Sequence, residues 1–355
     1  MRSLLNLRLE ARARVPLAMA LASPFVAVAF TLLACAGLIV WAGAPVSRAY
    51  ALLFESAFGS RFAIGETLTR ATPLILTGLS CAVAFRAHFY NIGAEGQLYL
   101  GALAAVAVGG SAIALPAPIL FPLMIAAGMA AGALLLAVPA LAKTRLGVDE
   151  VVTTLLLNFV ALLFVSMMLD GPMKDTTAMG WPQSVPIRPE LEFGKLLERS
   201  RVHVGLIIAV ALALALWVVN VRTTFGYEMR AVGANARAAR FAGIPVDSVM
   251  LKTALLSGAL AGLAGVGEVA GRAGYLTLDM SPGYGYSGIV IAMLAGLNPL
   301  GVVLAAVFVA GLIVGADSMS RAVGVPTYLA DVIVSVSLLS MLVATMLARY
   351  RVRWS

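Results

Sequence analysis

The sequence predicts an all-α integral membrane protein, with about ten transmembrane helices in one bundle and a short helix in a cytoplasmic loop. Three observations carry this. Hydrophobic residues make up 61% of the 355-residue chain and charged residues only 12%, about half the charged share of ordinary globular domains. Residues 96–142 and 280–316 contain no charge at all, and a bilayer span needs about 20 apolar residues, so each run must cross more than once. The third is an absence: no series of alternating segments of about ten residues, which a membrane β-barrel requires, runs through the chain. Continuous apolar runs satisfy their backbone groups in hydrocarbon as helices.

The elements follow in order. Residues 1–15 form a basic cytoplasmic segment carrying Arg2, Arg8, Arg12 and Arg14. The apolar stretch 16–41 ends before Ala42-Gly43-Ala44, which looks slightly like a cleavage site. It is well beyond the apolar core of about 7–15 residues in a signal peptide, so it reads as an uncleaved first span. Further spans are expected at 68–86, 92–112, 118–142, 151–169, 203–221, 252–273, 284–297, 299–317 and 326–347. Gly109-Gly110-Ser111 with Pro116 and Pro118 separates the third from the fourth. Asn298-Pro299 turns the chain between the eighth and ninth, because the residue before proline avoids helical geometry. The membrane domain is thus 16–348, and 349–355 is a cytoplasmic tail.

Charge orients the bundle. With both termini inside, 15 of the 25 Lys and Arg residues fall on the cytoplasmic side, as the positive-inside rule asks. The basic residues of the outer loop 170–202 dilute that excess. This loop is polar and rich in proline and reads as an outer cap; 222–251 faces the cytoplasm. The net charge of +8 is spread over helix ends, which gives no basic face for nucleic acid. Cys35 and Cys81 lie in apolar runs, and His88 and His203 lie far apart at membrane edges. No metal-ligand spacing or catalytic constellation accompanies them, so no metal site and no enzyme is expected.

Within 222–251 the ends of a short helix are legible. Asn235 can accept N–H bonds as an N-cap, and residues 236–242 are mostly good helix formers. Gly243 can take the left-handed conformation, Ile244 can pack back, and Pro245 stops the helix. Two turns do not persist alone, so the helix needs a partner surface or lies on its own bundle.

The run Phe225-Gly226-Tyr227-Glu228-Met229-Arg230-Ala231-Val232-Gly233-Ala234-Asn235, continuing Ala236-Arg237-Ala238-Ala239-Arg240-Phe241-Ala242-Gly243-Ile244, resembles the cytoplasmic coupling segment of ABC-importer permeases. The class is that of branched-chain amino acids, simple sugars and nucleosides. Asn91-Ile92-Gly93-Ala94-Glu95-Gly96-Gln97, Val148-Asp149-Glu150-Val151-Val152 with Asn158, and Gly283-Tyr284-Gly285-Tyr286-Ser287-Gly288 match the same class. The first two look most like nucleoside-type members of the sugar/nucleoside branch. The resemblance implies a permease subunit in a bacterial inner membrane, importing a nucleoside or otherwise a simple sugar. It implies two ABC ATPase subunits, a second and related permease, a periplasmic or lipid-anchored solute-binding protein, and surrounding membrane lipid. No G-x-x-x-x-G-K-[S/T] loop is present, so ATP and Mg belong to the partner ATPase and this chain binds no cofactor. The cytoplasmic coupling helix would carry Gly226, Arg230, Gly233, Asn235, Ala238, Ala239, Gly243 and Ile244.

Candidate substrate-pathway residues are Asn91, Glu95, Gln97, Glu268, Tyr284 and Tyr286. An ionisable side chain within a span costs at least about 2.5–3.5 kcal/mol on insertion scales, which points to a polar cavity or a partner. Glu95, Asn91 and Gln97 sit near Gly93 and Gly96, where a broken helix could meet a ligand; locking neighbouring helix ends explains them more cheaply. Glu268 lies among small residues that permit close helix packing and could meet substrate or pair with Arg272. Tyr284 and Tyr286 could stack on a base, although an interfacial aromatic belt accounts for them more simply. The competing function is an ion-gradient-driven secondary transporter using these acids.

Overall fold

The computed structural model describes residues 7–11, 17–110, 113, 115–196 and 200–354. Thirteen α-helices carry most of the described chain: α1 (Leu17–Trp41), α2 (Val46–Phe58), α3 (Arg61–Arg86), α4 (Ala94–Gly109), α5 (Ala117–Leu146), α6 (Glu150–Asp170), α7 (Gly205–Arg222), α8 (Thr224–Ala234), α9 (Ala236–Phe241), α10 (Val246–Glu268), α11 (Tyr284–Leu294), α12 (Pro299–Val323) and α13 (Thr327–Arg349). α10 continues as a π turn over Val269–Ala273. The all-α expectation holds, with one short two-stranded ribbon besides the helices. β1 (Leu7–Ala11) and β2 (Tyr350–Trp354) pair antiparallel, with Leu7 opposite Trp354 and Ala11 opposite Tyr350. Two five-residue segments more than 300 positions apart give no local sign of pairing.

Among the described residues, seven helices are long and apolar enough to cross a membrane: α3, α5, α6, α7, α10 with its π turn, α12 and α13. Shorter apolar stretches lie at Val26–Trp41, Ala94–Gly109 and Tyr284–Leu294. α2 was not expected. It buries Ala49, Leu53 and Ala57 at four-residue spacing and carries Arg48 and Glu55. An amphipathic helix of this kind escapes a search for charge-free runs.

The chain forms two compact units, residues 1–64 with 311–355 and residues 65–310. In the first, α1 packs on α13, and Cys35, Ile39, Leu53, Met319, Leu329 and Ile333 share a core. In the second, α4, α5 and α10 pack on one another through glycines. A Cβ at Gly101 would lie 2.2 Å from the Gly262 carbonyl oxygen, one at Gly132 2.3 Å from that of Gly258, and one at Gly265 1.9 Å from that of Leu98. Backbones this close need small residues at the contact. The small-residue pattern of 262–271 therefore marks a central helix.

The described part of the loop after α6 is hydrogen-bonded into this second unit. Asp175 accepts from the Thr177 N–H and hydroxyl and from Gln183. Further along, Ser184 N donates to Leu276 O at 3.0 Å, Ile187 N to Gly274 O at 2.8 Å, and Phe193 N to Ala270 O at 2.7 Å. These bonds tie the cap to the π turn and the segment after it.

Candidate functional site

The residues expected to matter divide between a buried polar belt and an exposed arm, both within residues 65–310. The belt begins where the chain leaves α3 and re-enters as α4. His88 turns with φ 52°, Tyr90 N donates to Glu150 Oε1 at 3.2 Å, and Ile92 N donates to Thr154 Oγ1 at 3.2 Å. Non-helical backbone is tolerated at membrane depth only where protein satisfies it, and α6 supplies that. Asn158 on α6 completes the pairing, donating to Ile92 O at 2.9 Å and accepting from Gly96 N at 2.8 Å.

Asn91 and Gln97 bond reciprocally. Asn91 Nδ2 donates to Gln97 Oε1 and Gln97 Nε2 donates to Asn91 Oδ1, both at 2.9 Å. Asn91 Nδ2 also reaches Ser257 Oγ at 3.0 Å, which joins α10 to the loop. Ser80, Asn91, Gln97 and Ser257 are all buried. In an apolar interior such a network rigidifies the packing it joins. Ser80 and Ser257 escaped notice in the sequence because isolated serines are common in membrane helices.

Glu95 occupies the first turn of α4, and its Oε2 accepts from Gly285 N at 2.6 Å. That N–H is one of the orphan donors at the start of α11, where a carboxylate is favoured. Thr77 Oγ1 donates to Tyr284 O at 3.0 Å beside it. Glu95 thus joins two helix starts. Tyr284 is wholly buried, which removes the interfacial-belt explanation for it. Tyr286 is partly exposed, and its hydroxyl accepts from Asn158 Nδ2 at 3.2 Å.

Glu268 closes α10. Its Oε2 pairs with Arg272 Nη1 at 2.9 Å across the π turn, while its buried Oε1 has no hydrogen-bond partner. Nearby, Tyr99 donates to Leu278 O and accepts from Ser281 N at 3.2 Å. A tyrosine within an apolar run had given no hint of that role. The π turn belongs to a class of helix irregularity frequent at functional sites.

His203 precedes α7 in a pocket formed by Phe193 and Gly271; its ring lies 5.7 Å from that of Phe193. Its Nδ1 accepts from Gly205 N at 3.2 Å.

The arm starts at a tight corner. Thr223 Oγ1 caps α8 by accepting from Gly226 N at 3.1 Å, and a Cβ at Gly226 would lie 2.2 Å from Val219 O. Arg230 donates to Asn220 O. Gly233 packs so closely that a Cβ would lie 2.1 Å from Arg86 O. Asn235 then caps α9, its Oδ1 accepting from Arg237 N at 3.0 Å and Ala238 N at 3.1 Å. At the other end Gly243 has φ 82°, Gly243 N donates to Arg240 O and Ile244 N to Ala239 O. This pair of bonds is a Schellman closure.

Ala239 is buried on the inner side of α9, whereas Ala238 is exposed and Phe241 is 95% exposed. Arg240 pairs with Asp247 at 3.0 Å. The expected coupling residues therefore fall into two groups. Gly226, Arg230 and Gly233 fix the arm, while Asn235, Gly243 and Ile244 shape its tip. Among the described residues, no group of three or more His, Cys, Asp or Glu side chains could hold a metal ion.

Comparison with known proteins places these features in context. A family profile described as branched-chain amino acid transport system / permease component matches residues 63–342. A glucose ABC transporter permease protein of Haloferax volcanii is 38% identical over 98% of this chain and 93% of its own length. A guanosine ABC transporter permease protein of Bacillus subtilis is 37% identical over 89% of this chain and 91% of its own. A nucleoside ABC transporter permease protein of Lactococcus lactis subsp. cremoris is 32% identical, covering 87% of each chain.

Proposed function

The chain belongs to the branched-chain amino acid transport system / permease component family, and from that premise we propose how its geometry serves import. It is a multi-pass membrane protein and an ABC-importer permease subunit. The solute it passes is a nucleoside, or otherwise a simple sugar, in keeping with the guanosine, nucleoside and glucose permeases among its relatives. The bundle crosses a bacterial inner membrane ten times with both termini in the cytoplasm; three shorter apolar stretches supplement the seven long helices. Two ATPase subunits hold ATP and Mg, a related permease completes the pore, and a solute-binding protein delivers the solute.

One observation carries the coupling mechanism: α9 is capped at both ends, held on a packed arm, and presents an almost fully exposed Phe241. A short helix with a bare aromatic at its tip suits docking into an apolar groove on a partner. In this reading α9 is the cytoplasmic coupling helix and the groove is on the ATPase. Closure of the ATPase dimer on ATP shifts the arm, and α8 carries the shift into the membrane helices as a rigid-body movement.

The solute path runs past Glu268, whose free Oε1 can accept a hydroxyl or N–H, and past Tyr286. Asn91, Glu95, Gln97 and Tyr284 hold the helix starts that border it. Two substitutions separate locking from solute contact at Glu95. Glu95→Gln keeps an acceptor for Gly285 N, so packing should survive; Glu95→Ala strands that donor at a cost of about 1–3 kcal/mol. Locking alone predicts near-normal uptake in the first and reduced stability in the second. A large rise in KM for Glu95→Gln with unchanged stability would assign solute contact instead.

The experiment for the whole reading is reconstitution of the chain with its ATPase, second permease and binding protein in vesicles. ATP-dependent uptake of labelled guanosine or glucose is the expected result. Uptake by this chain alone under an ion gradient would overturn it.

A further inference from the structure

Arg86, the last residue of α3, touches the arm with its backbone and a distant helix turn with its side chain. On the backbone side, α8 comes so close that a Cβ at Gly233 would lie 2.1 Å from Arg86 O and 3.4 Å from Ala87 Cα. On the side-chain side, Arg86 Nη2 donates to Leu297 O at 2.6 Å. Leu297 belongs to the turn between α11 and α12, 211 positions further along the chain. All of these residues lie within 65–310.

That turn holds an uncommon shape. Gly296 and Leu297 both take left-handed angles, φ 59° and φ 61°, and a leucine rarely does so. Such a conformation persists only where its surroundings fix it. Within the turn, Leu297 N donates to Ala292 O at 2.9 Å and Asn298 N to Ala295 O at 3.1 Å, while Asn298 Oδ1 accepts from Leu300 N at 3.0 Å. Arg86 grips the turn from outside, placing a cation on a carbonyl just past the C-terminal end of α11, where positive charge is favoured. Capping alone would account for that bond. It does not account for the arm resting on the same residue.

α3 also holds α11 along its length. Thr77 Oγ1 donates to Tyr284 O at 3.0 Å, and a Cβ at Gly288 would lie 2.8 Å from the carbonyl carbon of Thr77. A Cβ at Gly78 would lie 2.8 Å from Ile291 Cγ2 on α11 and 2.9 Å from Val302 Cγ1 on α12. Helices packed this closely shift together rather than deform. We propose that Arg86 is the positioning residue that passes movement of the arm to α11. The arm bears on its carbonyl, its guanidinium draws the turn 295–298, and α3 and α11 move as one piece. The consequence falls at the start of α11, where Glu95 Oε2 holds Gly285 N at 2.6 Å beside the proposed solute path. This inference rests on the docking of α9 to an ATPase and names the residue through which that stroke enters the membrane helices.

The test is hydrogen exchange on the full assembly of this chain with its ATPase, second permease and binding protein, without nucleotide and with ATP and vanadate. In the wild type, exchange is expected to change both in α8–α9 and at residues 295–298. Arg86→Met keeps much of the side chain's bulk and removes its donors, so the arm should still respond while 295–298 should not. In uptake assays that variant should hydrolyse about tenfold or more ATP per solute imported. Arg86→Lys, which restores a donor, should recover much of the coupling. Lower thermal stability of Arg86→Met with an unchanged ATP cost per solute would mean capping alone and overturn the proposal. So would an unchanged response at 295–298 in that variant, or a wild type whose arm responds while 295–298 does not. A wild-type arm that ignores ATP would instead overturn the coupling role of α9 itself. If Arg86→Met does not assemble, Arg86→Lys takes its place: a reduced response at 295–298 is expected, and an undiminished one overturns the proposal.

Discussion

Gly265→Val is expected to abolish folding of the membrane bundle, with no monodisperse species recovered after solubilisation. The added Cβ alone would lie 1.9 Å from the Leu98 carbonyl oxygen and 2.7 Å from Ala102 N. Both are backbone atoms of α4, so no rotamer change relieves the clash. Parting α4 from α10 would also pull on α5, because Gly258 and Gly262 of α10 meet Gly132 and Gly128 at similarly close range. Interiors packed this tightly do not absorb a shift of an ångström or more locally. The penalty belongs with the exceptional single substitutions that exceed about 4–5 kcal/mol. Gly267→Ala is the control. A Cβ there meets no heavy atom within 4 Å, and alanine is the better helix former by about 1 kcal/mol. That variant should fold at least as well as the wild type; if both glycines tolerate substitution equally, the close-packed description is wrong.

Phe241→Asp should leave insertion and thermal stability unchanged and reduce ATP-driven uptake by at least about thirtyfold. The side chain is 95% exposed, so the chain by itself loses almost nothing when it is replaced. On an ATPase groove, loss of an aromatic anchor costs about 2–4 kcal/mol, and a buried carboxylate adds its desolvation. Uptake assays on the reconstituted assembly, with co-purification of the ATPase as a second readout, check both halves of the expectation. Normal uptake would remove α9 from the coupling mechanism. Gly233→Pro would stop transport too, but less informatively. Gly233 lies against Arg86 O, so the substitution disturbs the arm's own packing as well as its tip.

Much of the arm was legible residue by residue. Asn235 accepts two N–H bonds at the start of α9, and Gly243 takes the left-handed conformation at its end, because capping depends on chemistry within a few positions. The importance of Phe241 was not legible, since a phenylalanine at that spacing is equally suited to burial. In the belt, the motif residues Asn91, Glu95 and Gln97 stood out as polar groups in an apolar setting. Their partners did not: Ser257 lies 166 positions from Asn91, and Gly285 lies 190 from Glu95. The pairing of Glu268 with Arg272 was one of two readings open from the sequence, because it spans a single helical turn.

The sequence by itself determined that this protein lives in a membrane as a helical bundle, where its turns fall, and which family it resembles. All of these follow from local composition, from the length of apolar runs and from short motifs. Only the tertiary structure decided that Asn91 and Gln97 bond each other, that Tyr284 is buried, that α2 exists as a packed amphipathic helix, and that the Asn220 side-chain oxygen is buried without a donor. Those facts depend on which distant helix faces which. In an apolar chain nearly every helix is hydrophobic all round, so periodicity cannot say which face turns inward. Close packing and hydrogen-bond satisfaction decide it, and both exist only once the helices have met.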